Sequence, residues 1–122
     1  MKRASKFARE NFKYLGIASV ALLLLSFAVP SIAEIERLPA GAQIVDVRTV
    51  PEYSAQHYPG AKNIPLSDIQ KRISEFGPKN QTIVVYCRSG RRSGIAKQIL
   101  SNAGYTNVIN GGGLSEMLRY SK

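Results

Sequence analysis

The fold of this chain is decided by one stretch, TIVVYCRSGRRSGIAKQIL, which occupies residues 82–100. Its first five residues form a nearly continuous β-branched run, which is typical of strands buried on both faces of a parallel sheet. From about Arg91 the apolar residues recur at helical spacing, and Gly104 is placed to end that helix in a left-handed cap. The apolar positions of this predicted helix are Ile95, Ala96, Ile99, Leu100 and Ala103. A buried strand that leads directly into a helix predicts an α/β domain.

The flanking segments continue the same alternation. Two further apolar runs, residues 43–47 (QIVDV) and 107–109 (NVI), predict strands. Residues 65–77 predict a helix, because Ser67 and Gln70 have capping-box spacing. Its apolar face comprises Leu66, Ile69, Ile73 and Phe76, and a closing helix is predicted from Leu114, Met117 and Leu118. The sequence therefore predicts an α/β fold with a mainly parallel central sheet, right-handed crossovers and flanking helices.

The first third of the chain has the composition of a targeting segment. Five basic residues and one acid precede the apolar residues 15–29, and the small residues Ser31 and Ala33 follow. This order predicts a signal peptide over residues 1–33, cleaved before Glu34, with the domain in residues 34–122 and the protein in the periplasm. The protein would then contact the membrane only through this signal peptide during export. The alternative is an uncleaved inner-membrane anchor facing the periplasm, but fifteen apolar residues are fewer than the roughly 20 that span a bilayer.

The charge pattern favours a small anion as ligand. Residues 34–122 hold twelve bases and seven acids, a net charge of +5. Arg88, Arg91 and Arg92 crowd around Cys87 without interleaved aromatic residues, so nucleic-acid binding is not indicated. One histidine and one cysteine do not make a metal-ligand cluster, and no glycine-rich dinucleotide motif follows a strand. No metal or cofactor is therefore expected.

Cys87 is the one cysteine of the chain, so it is a buried apolar filler, an intermolecular link or a reactive thiol. It directly follows the predicted strand at residues 82–86, where ligands collect in open α/β sheets. The next residues can turn their backbone N–H groups toward one anion, with Gly90 and Gly94 permitting the unusual dihedral angles. Together with the helix N-terminus and three guanidinium groups, this setting favours a thiolate with a lowered pKa. The sequence therefore predicts a nucleophilic cysteine that needs no adjacent base.

Four motifs in order resemble the landmarks of rhodanese domains. They are DVR at residues 46–48, PEYSAQHYPGAKNIP at 51–65, VVYCRSGRRS at 84–93 and GGG at 111–113, which together span nearly all of the predicted domain. The chain thus resembles the single-domain rhodaneses, thiosulfate sulfurtransferases, and in particular the small periplasmic phage-shock type.

The resemblance implies a small rhodanese-like domain whose catalytic residue is Cys87. The thiolate would take the sulfane sulfur of thiosulfate as a persulfide and pass it to cyanide, a small thiol or a dithiol protein. The substrate-binding residues implied by the motif are Arg88, Ser89, Gly90, Arg91, Arg92 and Ser93. Asp46 and Arg48 are expected to form an internal ion pair at a strand end, and His57 to support the structure rather than to catalyse.

Two other functions are compatible with a cysteine in a cationic loop. A cysteine phosphatase requires Cys-x5-Arg, but the sixth residue after Cys87 is Ser93, so the loop is one residue too small for phosphate. A non-catalytic anion-binding or interaction module would not need the cysteine, which this chain retains together with its arginines. The sequence therefore favours a sulfurtransferase over both alternatives.

Overall fold

A computed structural model describes residues 37–121, so the predicted signal peptide lies outside the described residues. Three short 3-10 helices, Leu66–Asp68, Ile73–Phe76 and Leu118–Ser121, accompany the strands and α-helices in that range. The strands and α-helices are β1 (Gln43–Asp46), α1 (Val50–Ala55), β2 (Lys62–Asn63), β3 (Ile83–Cys87), α2 (Arg91–Asn102), β4 (Val108–Gly113) and α3 (Leu114–Met117). None of the helices between residues 37 and 121 has the length and apolar character needed to cross a membrane.

The sheet has the strand order β2-β1-β3-β4, and every neighbouring pair is parallel. Parallel neighbours must be joined by crossovers, and the helices and loops between the strands supply them. The carboxyl ends of β1 and β3 therefore lie side by side, with Asp46 opposite Tyr86 in the register. The predicted α/β fold with a parallel central sheet is confirmed.

Strand β3 lies in the middle of the core. All five of its residues are buried, as the β-branched run predicted. Ile83, Val85 and Cys87 belong to one apolar cluster, whereas Val84 and Tyr86 belong to a second cluster. Because successive side chains of a strand point to opposite faces, β3 joins two layers of core, and the residue that ends it is held firmly in place.

The continuous helix predicted at residues 65–77 is wrong. Two 3-10 helices occupy this segment, and neither has a side-chain cap. In an α-helix the Ile73 carbonyl would accept the Gly77 N–H, but here it accepts the hydroxyl of Tyr105, and Gly77 N–H donates to Ser74 instead. Satisfying this tyrosine hydroxyl outweighs the local helical periodicity. The apolar face itself was predicted correctly, because the largest buried side chains of the segment are Ile69 and Phe76.

The helix predicted from residue 91 is confirmed. It ends at Asn102, and Gly104 follows with a φ of +98°, in the left-handed region. Ala96 and Leu100 are fully buried, whereas Ile95 is 46% exposed and does not face the core as expected. The apolar pattern thus located the helix but assigned Ile95 to the wrong face, and Ala103, which lies just beyond the helix, is exposed as well.

Candidate active site

The sulfur of Cys87 is covered by the loop that joins β3 to α2. Cys87 has no exposed surface, and the backbone N–H of Gly90 donates to its Sγ at 3.0 Å. Gly90 has a φ of +95°, and a Cβ at this position would lie 3.3 Å from the Cα of Gly112. A glycine is therefore needed to turn this amide toward the sulfur.

Strand β4 approaches the same loop closely. Gly113 pairs with Cys87 after an irregularity in the β3–β4 register. A Cβ on Gly113 would overlap the carbonyl oxygen of Arg88. The glycine run at the end of β4 thus lets the backbones of strand and loop come together around Cys87.

The pKa of the Cys87 thiol is lowered. Burial by itself raises it, but hydrogen bonds from the Ser93 hydroxyl and from the backbone amides of Ser93, Ser89 and Gly90 together outweigh burial. The Ser93 hydroxyl lies 3.4 Å from Sγ and is itself fully buried. Among the hydrogen bonds within residues 37–121, those to Sγ come from the loop backbone and from this hydroxyl. The thiolate is therefore stabilised mainly by dipoles.

The three loop arginines differ in their surroundings. Arg92 forms a bidentate ion pair with Glu52 of α1, at 2.7 Å and 2.9 Å. This guanidinium lowers the pKa of Glu52 to about 2. Arg91 is exposed, and Arg88 is exposed at the wall of a cavity of about 490 Å³, which Arg48 and Glu52 also line. Of the three guanidinium groups predicted to surround Cys87, that of Arg92 is therefore paired with Glu52, whereas those of Arg88 and Arg91 are not.

Asp46 and Arg48 form a buried ion pair beside the loop. The Arg48 Nη2 lies 2.6 Å from Oδ2 of Asp46, and its Nε lies 3.0 Å from Oδ1. The hydroxyl of Tyr86 donates to the same carboxylate at 2.7 Å. Burial raises the pKa of Tyr86, so the hydroxyl keeps its proton and remains a donor. Both oxygens of this fully buried carboxylate therefore accept hydrogen bonds, and Arg48 supplies the counter-charge.

The imidazole of His57 belongs to a different neighbourhood. Its Nδ1 lies 2.8 Å from the carbonyl oxygen of Tyr53 in α1. The two rings stack, with centroids 3.8 Å apart. His57 therefore contacts α1 rather than the sulfur in the described part of the chain.

Asn110 is a site residue that the sequence reasoning missed. Its Oδ1 lies 2.7 Å from the Ser93 hydroxyl and accepts the Gly112 N–H at 3.0 Å, while its Nδ2 donates to the Gly90 carbonyl at 3.0 Å. The sequence pattern that could have indicated this role is an asparagine followed by three glycines, because asparagine side chains often form hydrogen bonds with the backbone two residues further on. A second cavity, of about 560 Å³, opens beside Asn110, Ser89 and Gly90.

Glu52 and the whole of α1 were missed as well. Thr49 and Glu52 form a reciprocal capping box, and Pro51 lies in the first turn. This spacing was visible in the sequence as Thr-x-x-Glu with an early proline. It fixes the carboxylate that holds Arg92, and so links α1 to the start of α2.

Comparisons with known proteins agree with this geometry. A family model described as "Rhodanese-like domain" matches residues 31–118. Thiosulfate sulfurtransferase PspE of Escherichia coli is 50% identical over 74 residues, which are 60% of this chain and 71% of that protein.

Two solved structures superpose on the same region. A rhodanese with anions from E. coli has a TM-score of 0.57 and 51% identity, over 62% of this chain and 89% of that one. The human single-domain sulfurtransferase TSTD1 has a TM-score of 0.62 and 28% identity, over 75% of this chain and 96% of the other.

Proposed function

This chain belongs to the rhodanese-like domain family, a family of sulfurtransferases, and from that premise we propose that it transfers the sulfane sulfur of thiosulfate through Cys87 to cyanide or a thiol. The observation that carries the proposal is the covered sulfur of Cys87, with donors from Gly90 and Ser93 directed at it. Further support comes from the names of two relatives, a thiosulfate sulfurtransferase and a rhodanese with anions.

The first step loads the enzyme with sulfur. The Cys87 thiolate attacks the outer sulfur of thiosulfate, a new S–S bond forms, and the bond to the sulfonate sulfur breaks. Sulfite leaves with the electron pair, and the cysteine becomes a persulfide with one negative charge on its terminal sulfur. Because the hydrogen bonds to its sulfur lower the pKa of Cys87 and favour the thiolate over the thiol, the displacement does not require a general base.

The second step returns the thiolate. Cyanide or a thiolate attacks the terminal sulfur of the persulfide, and Cys87 Sγ leaves with the electron pair as the thiolate. The product is thiocyanate or a second persulfide. Both steps move negative charge between sulfurs, so the amides of Ser89, Gly90 and Ser93 stabilise each state without moving.

The remaining loop residues supply charge around this centre. We assign thiosulfate binding to residues 88–93, with side-chain contributions from the exposed guanidinium groups of Arg88, at the cavity wall, and Arg91. Asp46 and Arg48 pair with each other at the end of β1, and His57 packs against Tyr53 of α1, so we assign them structural roles. Two cavities flank the loop, one beside Arg88 and one beside Ser89, and they leave room for a donor and an acceptor.

The test is a mass measurement on the intact protein. Brief incubation with thiosulfate and no acceptor should add one sulfur atom, which cyanide then removes. Cys87→Ser should stay folded, acquire no sulfur and lose turnover, because a serine hydroxyl is far less acidic than the thiol.

A matched control keeps one thiol but moves it. Ser101 is exposed on α2, so the double variant Cys87→Ser/Ser101→Cys carries a thiol outside the loop. It should gain no sulfur. Thiocyanate production by Cys87→Ser, or faster hydrolysis of aryl phosphates than sulfur transfer by the wild type, would overturn the proposal.

We also propose that residues 1–33 are a cleaved signal peptide and that the domain of residues 34–122 acts in the periplasm. In a Gram-negative host the mature protein should begin at Glu34 and be released by osmotic shock, as N-terminal sequencing of that fraction would reveal. Full-length chain recovered only from membranes would replace this proposal with a membrane anchor.

A further inference from the structure

The hydroxyl of Ser93 has two acceptors and one proton. Its Oγ lies 2.7 Å from Oδ1 of Asn110 and 3.4 Å from Sγ of Cys87. A serine hydroxyl donates one hydrogen bond, so it cannot serve both acceptors at full strength. Ser93 is fully buried, and water does not supply an alternative partner at its surface. At any moment the proton therefore points to Asn110 or to the sulfur.

Two further hydrogen bonds hold the side chain of Asn110 in the orientation that faces Ser93. Its Nδ2 donates to the Gly90 carbonyl, and its Oδ1 accepts the Gly112 N–H. Exchanging the two amide atoms would place an acceptor against a carbonyl and a donor against an N–H. The oxygen that faces Ser93 is thus fixed in place by the backbone on either side of it.

We propose that Asn110 is a positioning residue for sulfur transfer. Its oxygen accepts the hydrogen bond of the Ser93 hydroxyl while Cys87 carries the extra sulfur. When the sulfur has left, the hydroxyl donates to the thiolate instead. This inference rests on the persulfide chemistry proposed above. The hydroxyl only rotates about its C–O bond, so no proton is gained or lost in the exchange.

The reason lies in where the negative charge sits. In the thiolate the whole charge is on Sγ, and a hydrogen bond to an ionised acceptor is roughly twice as strong as a neutral one. In the persulfide the charge is on the terminal sulfur, and Sγ has two covalent bonds and is a weak acceptor, like a thioether. The Asn110 oxygen is then the better partner, and it prevents the buried hydroxyl from being left unpaired.

The experiment measures the loading equilibrium. Wild type and variants are incubated with mixtures of thiosulfate and sulfite, at a pH where the thiol is fully ionised, and the persulfide fraction is read by intact mass spectrometry. Asn110→Ala should lower the loading constant roughly tenfold, because the loaded state loses the acceptor for a buried hydroxyl. Its thiol pKa should not rise, since Ser93 then donates to the thiolate without competition.

Ser93→Ala provides the opposite case. The thiolate loses a charge-assisted hydrogen bond and the persulfide loses a neutral one, so the thiol pKa should rise while the loading constant increases a few-fold. In the double variant, Asn110→Ala should change the loading constant by less than about twofold, because its effect passes through the missing hydroxyl.

An equal loss of loading from Asn110→Ala with and without Ser93 would overturn the inference, since Asn110 would then act through Gly90 or Gly112. If Asn110→Ala does not fold, Ser93→Ala alone decides: higher loading with a higher thiol pKa supports the inference, and lower loading overturns it. A wild type that never acquires sulfur would overturn the proposed function, whereas a wild type that loads without this coupling would overturn the Asn110 role alone.

Discussion

Two buried groups at the ends of neighbouring strands are stabilised as anions in different ways. Asp46 ends β1 and Cys87 ends β3, and neither has any exposed surface. The carboxylate of Asp46 is met by a full positive charge from Arg48 and by the Tyr86 hydroxyl. Within residues 37–121, the hydrogen bonds to the sulfur of Cys87 come from N–H and O–H dipoles.

The difference explains why only one of these groups is suited to react. The bidentate ion pair satisfies the hydrogen-bonding capacity of the Asp46 carboxylate, so this group is held in place and is not suited to act as a nucleophile. Dipoles favour ionisation of the thiol without neutralising it, and the sulfur keeps its charge and its nucleophilicity. The same sheet edge thus holds one paired anion and one that is available for the proposed sulfur transfer.

Removing the structural anion should give the largest effect. Asp46→Asn leaves the Arg48 guanidinium buried without its counter-charge, and breaking a buried pair in this way costs about 3–5 kcal/mol. The free energy of unfolding, measured by urea denaturation, should fall by that amount. This is a large fraction of the roughly 5–15 kcal/mol of a typical domain.

The pair between Glu52 and Arg92 is a matched control. It has the same chemistry, but its side chains are about a third exposed, at 30% and 32%. Glu52→Gln should reduce the free energy of unfolding by about 0–1 kcal/mol. Equal losses from the two substitutions would mean that burial does not distinguish the two pairs.

The pKa of Cys87 should differ from that of an ordinary thiol. Because hydrogen bonds lower the pKa of Cys87, the thiolate should appear at a lower pH in the folded protein than the value of about 8.5 seen in unfolded chains. The stability that this ionisation provides is fully present above the unfolded pKa and is lost as the pH falls through the folded one.

The measurement is the ultraviolet absorbance of the thiolate during a pH titration, with the protein in urea as reference. Coincident titrations of the folded and unfolded protein would contradict the dipole account. Ser93→Ala should move the folded titration upward, toward the unfolded one.

The loop arginines should give the smallest effects. Arg88→Ala and Arg91→Ala should raise the thiosulfate KM roughly two- to fivefold, since each removes an exposed charge, and added salt should weaken wild-type binding. Arg92→Ala should raise it less, because Glu52 already holds that guanidinium. Steady-state kinetics at fixed ionic strength would decide, and unchanged KM values in all three variants would leave thiosulfate binding to the loop backbone alone.

The sequence predicted the features that depend on long apolar patterns or on local turn chemistry. The β-branched run of β3, the apolar repeat of α2 and the Gly104 that follows this helix predicted the parallel α/β fold. The segment from residues 65 to 77 was predicted wrongly, because its contacts with Tyr105, which lies far away in the chain, are not visible in the local apolar pattern.

For the candidate site, too, the sequence predicted the local features but not the contacts between distant residues. The position of Cys87 after a strand and before a glycine-containing loop followed from the sequence, and its role as nucleophile stays a prediction. The pairing of Arg92 with Glu52 and the contact of Asn110 with Ser93 join residues 40 and 17 positions apart. Such contacts depend on the folded sheet, and a single sequence does not reveal them.

The cover over Cys87 also restricts what the chain's one thiol can become. A disulfide needs two sulfurs about 2 Å apart and Cα atoms within about 7 Å of each other. Cys87 ends β3, an inner strand, and has no exposed surface, so two copies of the chain in this conformation cannot bring their sulfurs to bonding distance. The same cover keeps large oxidants away from the sulfur. The fold thereby protects an acidic thiol from cross-linking, even in surroundings where exposed thiols are soon oxidised.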